Sequence, residues 1–221
     1  MTAPRLGVVL PPHLAMLVVL GHKTILDWPD PFPGEPGDRV AIIASEEPPE
    51  CSLWEDAPYD NIGDRWQYGQ EVEGDRKDDW WLVDLDPNRT DDGLIWLPLG
   101  VVVGTVTVDD ALPIMGDGEI RPDGRYIIHA AGELWIIGSS TLPASSDSAH
   151  ENISDQLPLG DFSPGRWGWR LSNPQPPTKP CPGCGGAPFM CDNGRLPADP
   201  IPCTGRQGVF TLPDHIAEAL R

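Results

Sequence analysis

Apolar residues in this chain come in short blocks, each closed by proline, glycine or a carboxylate. Leu6–Leu10 reads as a short buried strand, ended by Pro11 and Pro12. Residues 12–22 read as a helix, because proline is tolerated in a first turn and Gly21 stands near the end. Lys23 then emerges where that helix stops. Residues 40–44 are a continuous apolar run, the pattern of a strand buried on both sides, and residues 94–97 give another short strand. Residues 100–108 make the clearest strand, dense in Val and Thr. Gly104 within it predicts a bulge or a tight bend, and Asp109 and Asp110 are expected to end it. Residues 125–130 and Glu133–Ile137 flank Ala131-Gly132 and predict a hairpin. Residues 139–152 are polar and read as a loop. Asp161, Ser163, Pro164 and Gly165 reverse the chain, after which Trp167, Trp169 and Leu171 alternate with Gly168 and Arg170 as a strand with one buried face. Residues 213–221 read as a short terminal helix.

Composition narrows the class. Proline (27) and glycine (24) are abundant enough to exclude a long-helix architecture, while nine tryptophans and the Val/Ile runs suffice for a core. A length of 221 residues suits one domain with insertions. The expected class is therefore α+β, with residues 1–221 a single domain. It carries an acidic insertion at 46–92 and a cysteine-containing insertion at 174–203. The apolar run at residues 14–20 is too short to cross a bilayer and has no basic flank or cleavage site, so a cytoplasmic protein with no membrane partner is expected.

The formal net charge of −19 is unevenly placed. Residues 44–92 hold 16 acidic and four basic side chains, whereas residues 160–211 hold three acidic and five basic ones. Such acidity opposes a long footprint on duplex phosphate but permits a local site for one nucleotide. It can equally serve solubility alone. Four of the five cysteines lie within 181–203, which points to metal rather than disulfides in a cytoplasmic chain. Cys181 and Cys184 have the two-residue spacing of a zinc knuckle, and Cys191 and Cys203 complete a set of four ligands for structural zinc. Reduced structural thiols are the alternative.

Two stretches carry candidate binding chemistry. Arg166 sits on a Gly-Arg turn beside Trp167, a fixed cation next to a flat apolar surface, suited to an anion or a stacked base. Gly205-Arg206-Gln207-Gly208 is a second turn. Gln207 offers a paired donor and acceptor to a base edge, or equally to backbone groups in a buried turn.

Taken together, Gly21-His22-Lys23-Thr24-Ile25 after an apolar helix, the strand at 100–108, Ser163-Pro-Gly-Arg-Trp167 before a strand, and residues 200–210 resemble an ASCH domain, a family related to PUA domains. The four matches occur in the family's order and span residues 5–210. The resemblance implies a small PUA-like β-barrel, partly open, with helices packed outside. It also implies a cleft lined by Lys23, Arg166, Trp167, Arg206 and Gln207, binding RNA, single-stranded DNA or a modified nucleotide as a monomer. One branch of the family hydrolyses an amide on a modified nucleoside. That branch would make Lys23 the activated nucleophile or base, with Thr24 a weak further candidate. This chain departs from the family three residues after the lysine, where a carboxylate or a catalytic threonine is usual and Leu26 stands instead. Asp27 and Thr24 are adjacent, but a one-residue slip along a strand is expected to turn each to the other face. A third reading makes the acidic segment a decoy that binds a protein partner.

Overall fold

The computed structural model describes residues 3–46, 66–70, 80–84, 94–97, 99–116, 125–138, 150–175, 201–203 and 208–220. Nine strands form one mixed sheet: β1 (Leu6–Leu10), β2 (Ile25–Trp28), β3 (Asp38–Ala44), β7 (Val102–Met115), β8 (Tyr126–Ala130), β9 (Glu133–Ile137), β10 (His150–Asn152), β11 (Trp167–Gln175) and β12 (Gly208–Thr211). Helix α1 is Pro12–Val19 and α2 is Asp214–Ala219. The result is a mixed α/β arrangement, mostly strands with few helices. Along its main path the sheet runs β10-β9-β8-β7-β3-β1-β12, and β11 pairs with both β7 and β2. The expected barrel closure is not seen among the described residues: β2, β10 and β12 each pair on one side only.

Helix α1 is apolar all round, which a helix tolerates only when covered on every side. All eight of its residues are buried. It packs on the face of the sheet that carries Val8, Val40, Ile42, Val106, Trp169 and Leu171. On the opposite face Ile216 and Leu220 cover Val9, Ala41 and Ile43. Ile25, Ile114, Ile127, Ile136 and Phe162 make a third apolar cluster.

Strand β7 is the spine. Val102–Val108 pairs with β3 and Thr105–Pro113 with β11. Gly104 lies at a register shift, and a Cβ there would sit 2.6 Å from Val19 and 2.7 Å from the Gln175 carbonyl. The predicted bulge is thus where the absence of a side chain leaves room for Val19 of α1. The expectation that Asp109 and Asp110 end this strand is wrong. Asp110 pairs with Arg125 and Asp109 accepts a hydrogen bond from Ser172, so both acids are satisfied inside a strand running on to Met115. The predicted hairpin is present, with Ala131 and Gly132 both at positive φ, as a two-residue hairpin turn requires.

The segments expected as insertions, 46–92 and 174–203, overlap two excursions from the sheet, at residues 46–99 and 176–200. The Gly100 N–H donates to the Ser45 carbonyl at 3.1 Å, so residues 46–99 depart and return side by side. Within them β4 (Trp66–Gln70), β5 (Trp80–Asp84) and β6 (Leu94–Leu97) form a separate antiparallel sheet, and β6 lies against α1. Gln175 pairs with Thr105, and Pro202 bridges Val101, so residues 176–200 interrupt one antiparallel run along β7.

Candidate functional site

The end of α1 sets the direction of Lys23. The Gly21 N–H donates to the Val18 carbonyl and the His22 N–H to the Leu17 carbonyl, with Gly21 at φ +80. This is a Schellman ending, in which a left-handed glycine reverses the chain and satisfies the last helical carbonyls. The reversal sends Lys23 inward, to 1 % exposure.

Its Nζ donates to Asp27 Oδ1 at 2.8 Å and to the Leu159 carbonyl at 2.5 Å, and lies 5.5 Å from the centre of the Phe162 ring. The other Asp27 oxygen accepts from Arg166 Nη2 at 3.1 Å. One carboxylate therefore joins a buried ammonium four positions before it to a guanidinium 139 positions after it. Removing two opposite charges from water is costly, and shared hydrogen bonds of this kind offset that cost.

Arg166 is placed by its turn. The Arg166 N–H donates back to the Ser163 carbonyl at 3.4 Å, with Pro164 second and Gly165 third at φ +91, the pattern of a type II turn. Hydrogen bonds between Ile114 and both Gly165 and Arg166 fasten the turn to β7. The Arg166 side chain is 28 % exposed, so it forms the outer edge of the network. Asp161 Oδ2 stands 3.7 Å from Arg166 Nη1. Burial works to raise the Asp161 pKa. Hydrogen bonds from Ser163 and the nearby Arg166 and His129 outweigh that and hold it below the ordinary carboxylate value.

His13, on α1, is buried, and its pKa is pulled down to about 4 by burial first and by the Lys23 charge second. It is neutral near pH 7, which spares the site a second buried cation.

Lys23 and Arg166, expected in one cleft, do meet. Lys23 does not face an open cleft, however: Leu159, Gly160 and Phe162 cover it. Gly160 makes that cover possible, since a Cβ on it would fall 2.2 Å from Asp27 Oδ1 and 2.7 Å from Lys23 Nζ. Trp167 lies apart from the pair. It is opposite Trp28 in register and packs with Trp169 on the α1 face, whereas Asp27 is opposite Gly168 on the other face. Thr24 is exposed and contributes its backbone only: its N–H donates to Gln156 and its carbonyl accepts from Leu171.

Arg206 and Gln207 lie outside the described residues, as do Cys181, Cys184 and Cys191. Cys203 is buried among Val102, Ile201 and Ile216, and burial pushes its thiol pKa up. No described cluster of three or more His, Cys, Asp or Glu has the arrangement of a metal site. The acids of the decoy reading fall largely outside the described residues. No described helix is long and apolar enough to cross a membrane.

The one-residue slip from position 26 does turn Asp27 to the face opposite Leu26, but that is the face on which Lys23, which precedes β2, makes its contact. Leu26, the residue at the expected carboxylate position, points into the core beside Trp169. Residues 153–158 resemble the family's approach to its Gly-Arg turn, but neither Gln156 nor Leu159 stands out there as a site residue, since their partners around Lys23 lie more than 130 positions away. A cavity of about 900 Å³ lies elsewhere, between Arg5, Glu35, Arg39 and Asp214, and holds none of the candidate residues.

Neither a family model nor a curated protein matches this chain.

Proposed function

We propose that this chain is an ASCH-like, PUA-related binding module that recognises a base in RNA, single-stranded DNA or a modified nucleotide, acting as a cytoplasmic monomer. The supporting observation is the joining of Lys23 and Arg166 through Asp27. Two of the segments that carry the resemblance, the helix end and the Gly-Arg turn, meet at one charge network. Arg166 is its accessible donor. It already stands between Asp27 and Asp161, so a phosphate there would be repelled by two carboxylates, a penalty that an uncharged base edge does not carry. The net charge of −19 acts in the same direction against a long polyanion. In this reading the sheet is a PUA-like barrel, partly open, and Arg206 and Gln207 contribute to the same site. Titration with nucleosides, short single strands and duplex at low and moderate salt tests the proposal. Nucleosides or short single strands binding ahead of duplex supports it, and binding by none of them refutes it.

One observation favours a second reading, a small amidohydrolase acting on a modified nucleoside through Lys23. Asp27 lies 2.8 Å from Lys23 Nζ and supplies the carboxylate partner that position 26 lacks. Release of the acyl group from an N-acylated nucleoside by the wild-type protein, lost in Lys23→Met, is its test. Structural zinc at Cys181, Cys184, Cys191 and Cys203 stays a proposal to be decided by metal content, with about one equivalent expected if the four thiolates close a site.

A further inference from the structure

Among the described residues the buried polar side chains are His13, Lys23, Thr105 and Gln156. Three of these four belong to one neighbourhood, and Gln156 has no part in the charge network itself. Its amide is fully used. Oε1 accepts from the Thr24 N–H at 2.8 Å and the Ile25 N–H at 3.3 Å, while Nε2 donates to the His22 carbonyl at 3.1 Å and to Asp155 at 3.3 Å. A glutamine has two lone-pair sites and two amide hydrogens, so all four are spent. A flipped amide would set its NH2 against two N–H donors, so only this orientation fits.

Three of the four partners are backbone groups on either side of Lys23. Gln156 thus fixes the chain just before and just after the lysine. It stands in the 3-10 turn Ser154–Leu159, whose last carbonyl receives Lys23 Nζ. Gly160 and Phe162 follow directly and complete the cover. The far end of the turn is tied down separately, through Ser154 and Ile153 to Leu134.

We propose that Gln156 is the positioning residue of this site, a latch that holds residues 154–162 over Lys23 and thereby sets how much of the lysine an incoming base can meet. This rests on the reading of the network as a ligand site. Three of the four latch contacts are to backbone groups and the fourth is to Asp155; none is to the side chain of Lys23, Asp27 or Arg166, so the latch is separable from binding itself.

The chain has three lysines, Lys23, Lys77 and Lys179, so amine labelling reports on Lys23 directly, with two internal references. The full-length protein is treated with acetic anhydride well below its unfolding temperature, and the three sites are followed by peptide mapping. In Gln156→Ala, Lys23 is expected to label at least about tenfold faster than in wild type, with Lys77 and Lys179 unchanged. Gln156→Glu keeps both acceptor contacts and loses both donations, and should fall between the two. An unchanged Lys23 rate in folded Gln156→Ala overturns the latch. If Gln156→Ala does not fold, Gln156→Glu decides the matter by the same criterion. Titration of the same proteins with cytidine and a short single-stranded RNA separates the two proposals. Wild type that binds both probes while Lys23 labelling never changes sinks the latch alone. Faster labelling with no binding by wild type refutes the ligand site and leaves Gln156 a structural clamp.

Discussion

Gly160 stands so close to Asp27 that a Cβ on it would lie 2.2 Å from Oδ1, inside any tolerated contact. The Gly160 backbone is extended, so alanine brings no conformational strain and the whole effect is steric. Gly160→Ala is expected to cost roughly 1–3 kcal/mol in urea unfolding, as overpacking does. It should also speed labelling of Lys23. A variant with wild-type stability would mean that the segment over Lys23 shifts freely.

Asp27 holds two cations and Arg166 only shares it, so their removal is not equivalent. Asp27→Ala leaves buried Lys23 with the Leu159 carbonyl and no counter-charge, and is expected to cost about 3–5 kcal/mol. Arg166→Ala leaves the Lys23–Asp27 pair intact and removes a partly exposed group, for which about 1 kcal/mol or less is expected. Chemical denaturation of both variants checks the order. The reverse ranking would show that Lys23 is not held by Asp27.

Much of the fold was legible because short apolar runs bounded by turn residues are a local signal. Leu6–Leu10 and Glu133–Ile137 fall where the pattern put them. Strand β2 entered only through the resemblance and not through pattern, since Ile25–Trp28 is four residues long and is held as a strand by β11, a partner about 140 positions away. Strand β7 passes through Asp109 and Asp110 because Arg125 and Ser172, invisible to local pattern, satisfy them. For the site, the Gly21 ending and the Gly-Arg turn announced where Lys23 and Arg166 would stand. Their link through Asp27, and the hold of Gln156 on the lysine segment, depend on contacts between distant parts of the chain.

His13 gives the fold an acid-sensitive range. In the unfolded chain it takes up a proton near pH 6.5, but in the folded protein only near 4. Between these values the unfolded chain binds more protons, so stability is full above 6.5, falls as the pH drops, and levels off near 4. The total is about 3 kcal/mol. Asp161, whose pKa is lowered, stabilises above the ordinary carboxylate value and loses this only below it, so the two effects separate. His13→Leu should show a much smaller drop in melting temperature between pH 7 and 4.5 than wild type. Equal drops would place the acid sensitivity elsewhere.

Ser45 and Gly100 are hydrogen-bonded neighbours, so residues 47–98 can be replaced by a short glycine turn without straining β3 or β7. That excision also takes β6 away from α1, a helix that is apolar on every side. The shortened protein is expected to melt at a lower temperature and to bind a hydrophobic dye, whereas deletion of residues 56–78, which spares β5 and β6, should do less of both. Wild-type stability after the larger excision would show that β6 does not protect the helix.

The central claim is that the Lys23–Asp27–Arg166 network is the floor of a base-binding site. Its most direct test is calorimetric titration of wild type and Arg166→Ala with the same short single-stranded RNA. Wild type is expected to bind weakly, and Arg166→Ala to lose about tenfold to a hundredfold in affinity while keeping its melting temperature, the scale of a lost charge-assisted hydrogen bond. Equal affinities for the two proteins, or no heat from wild type, would contradict it.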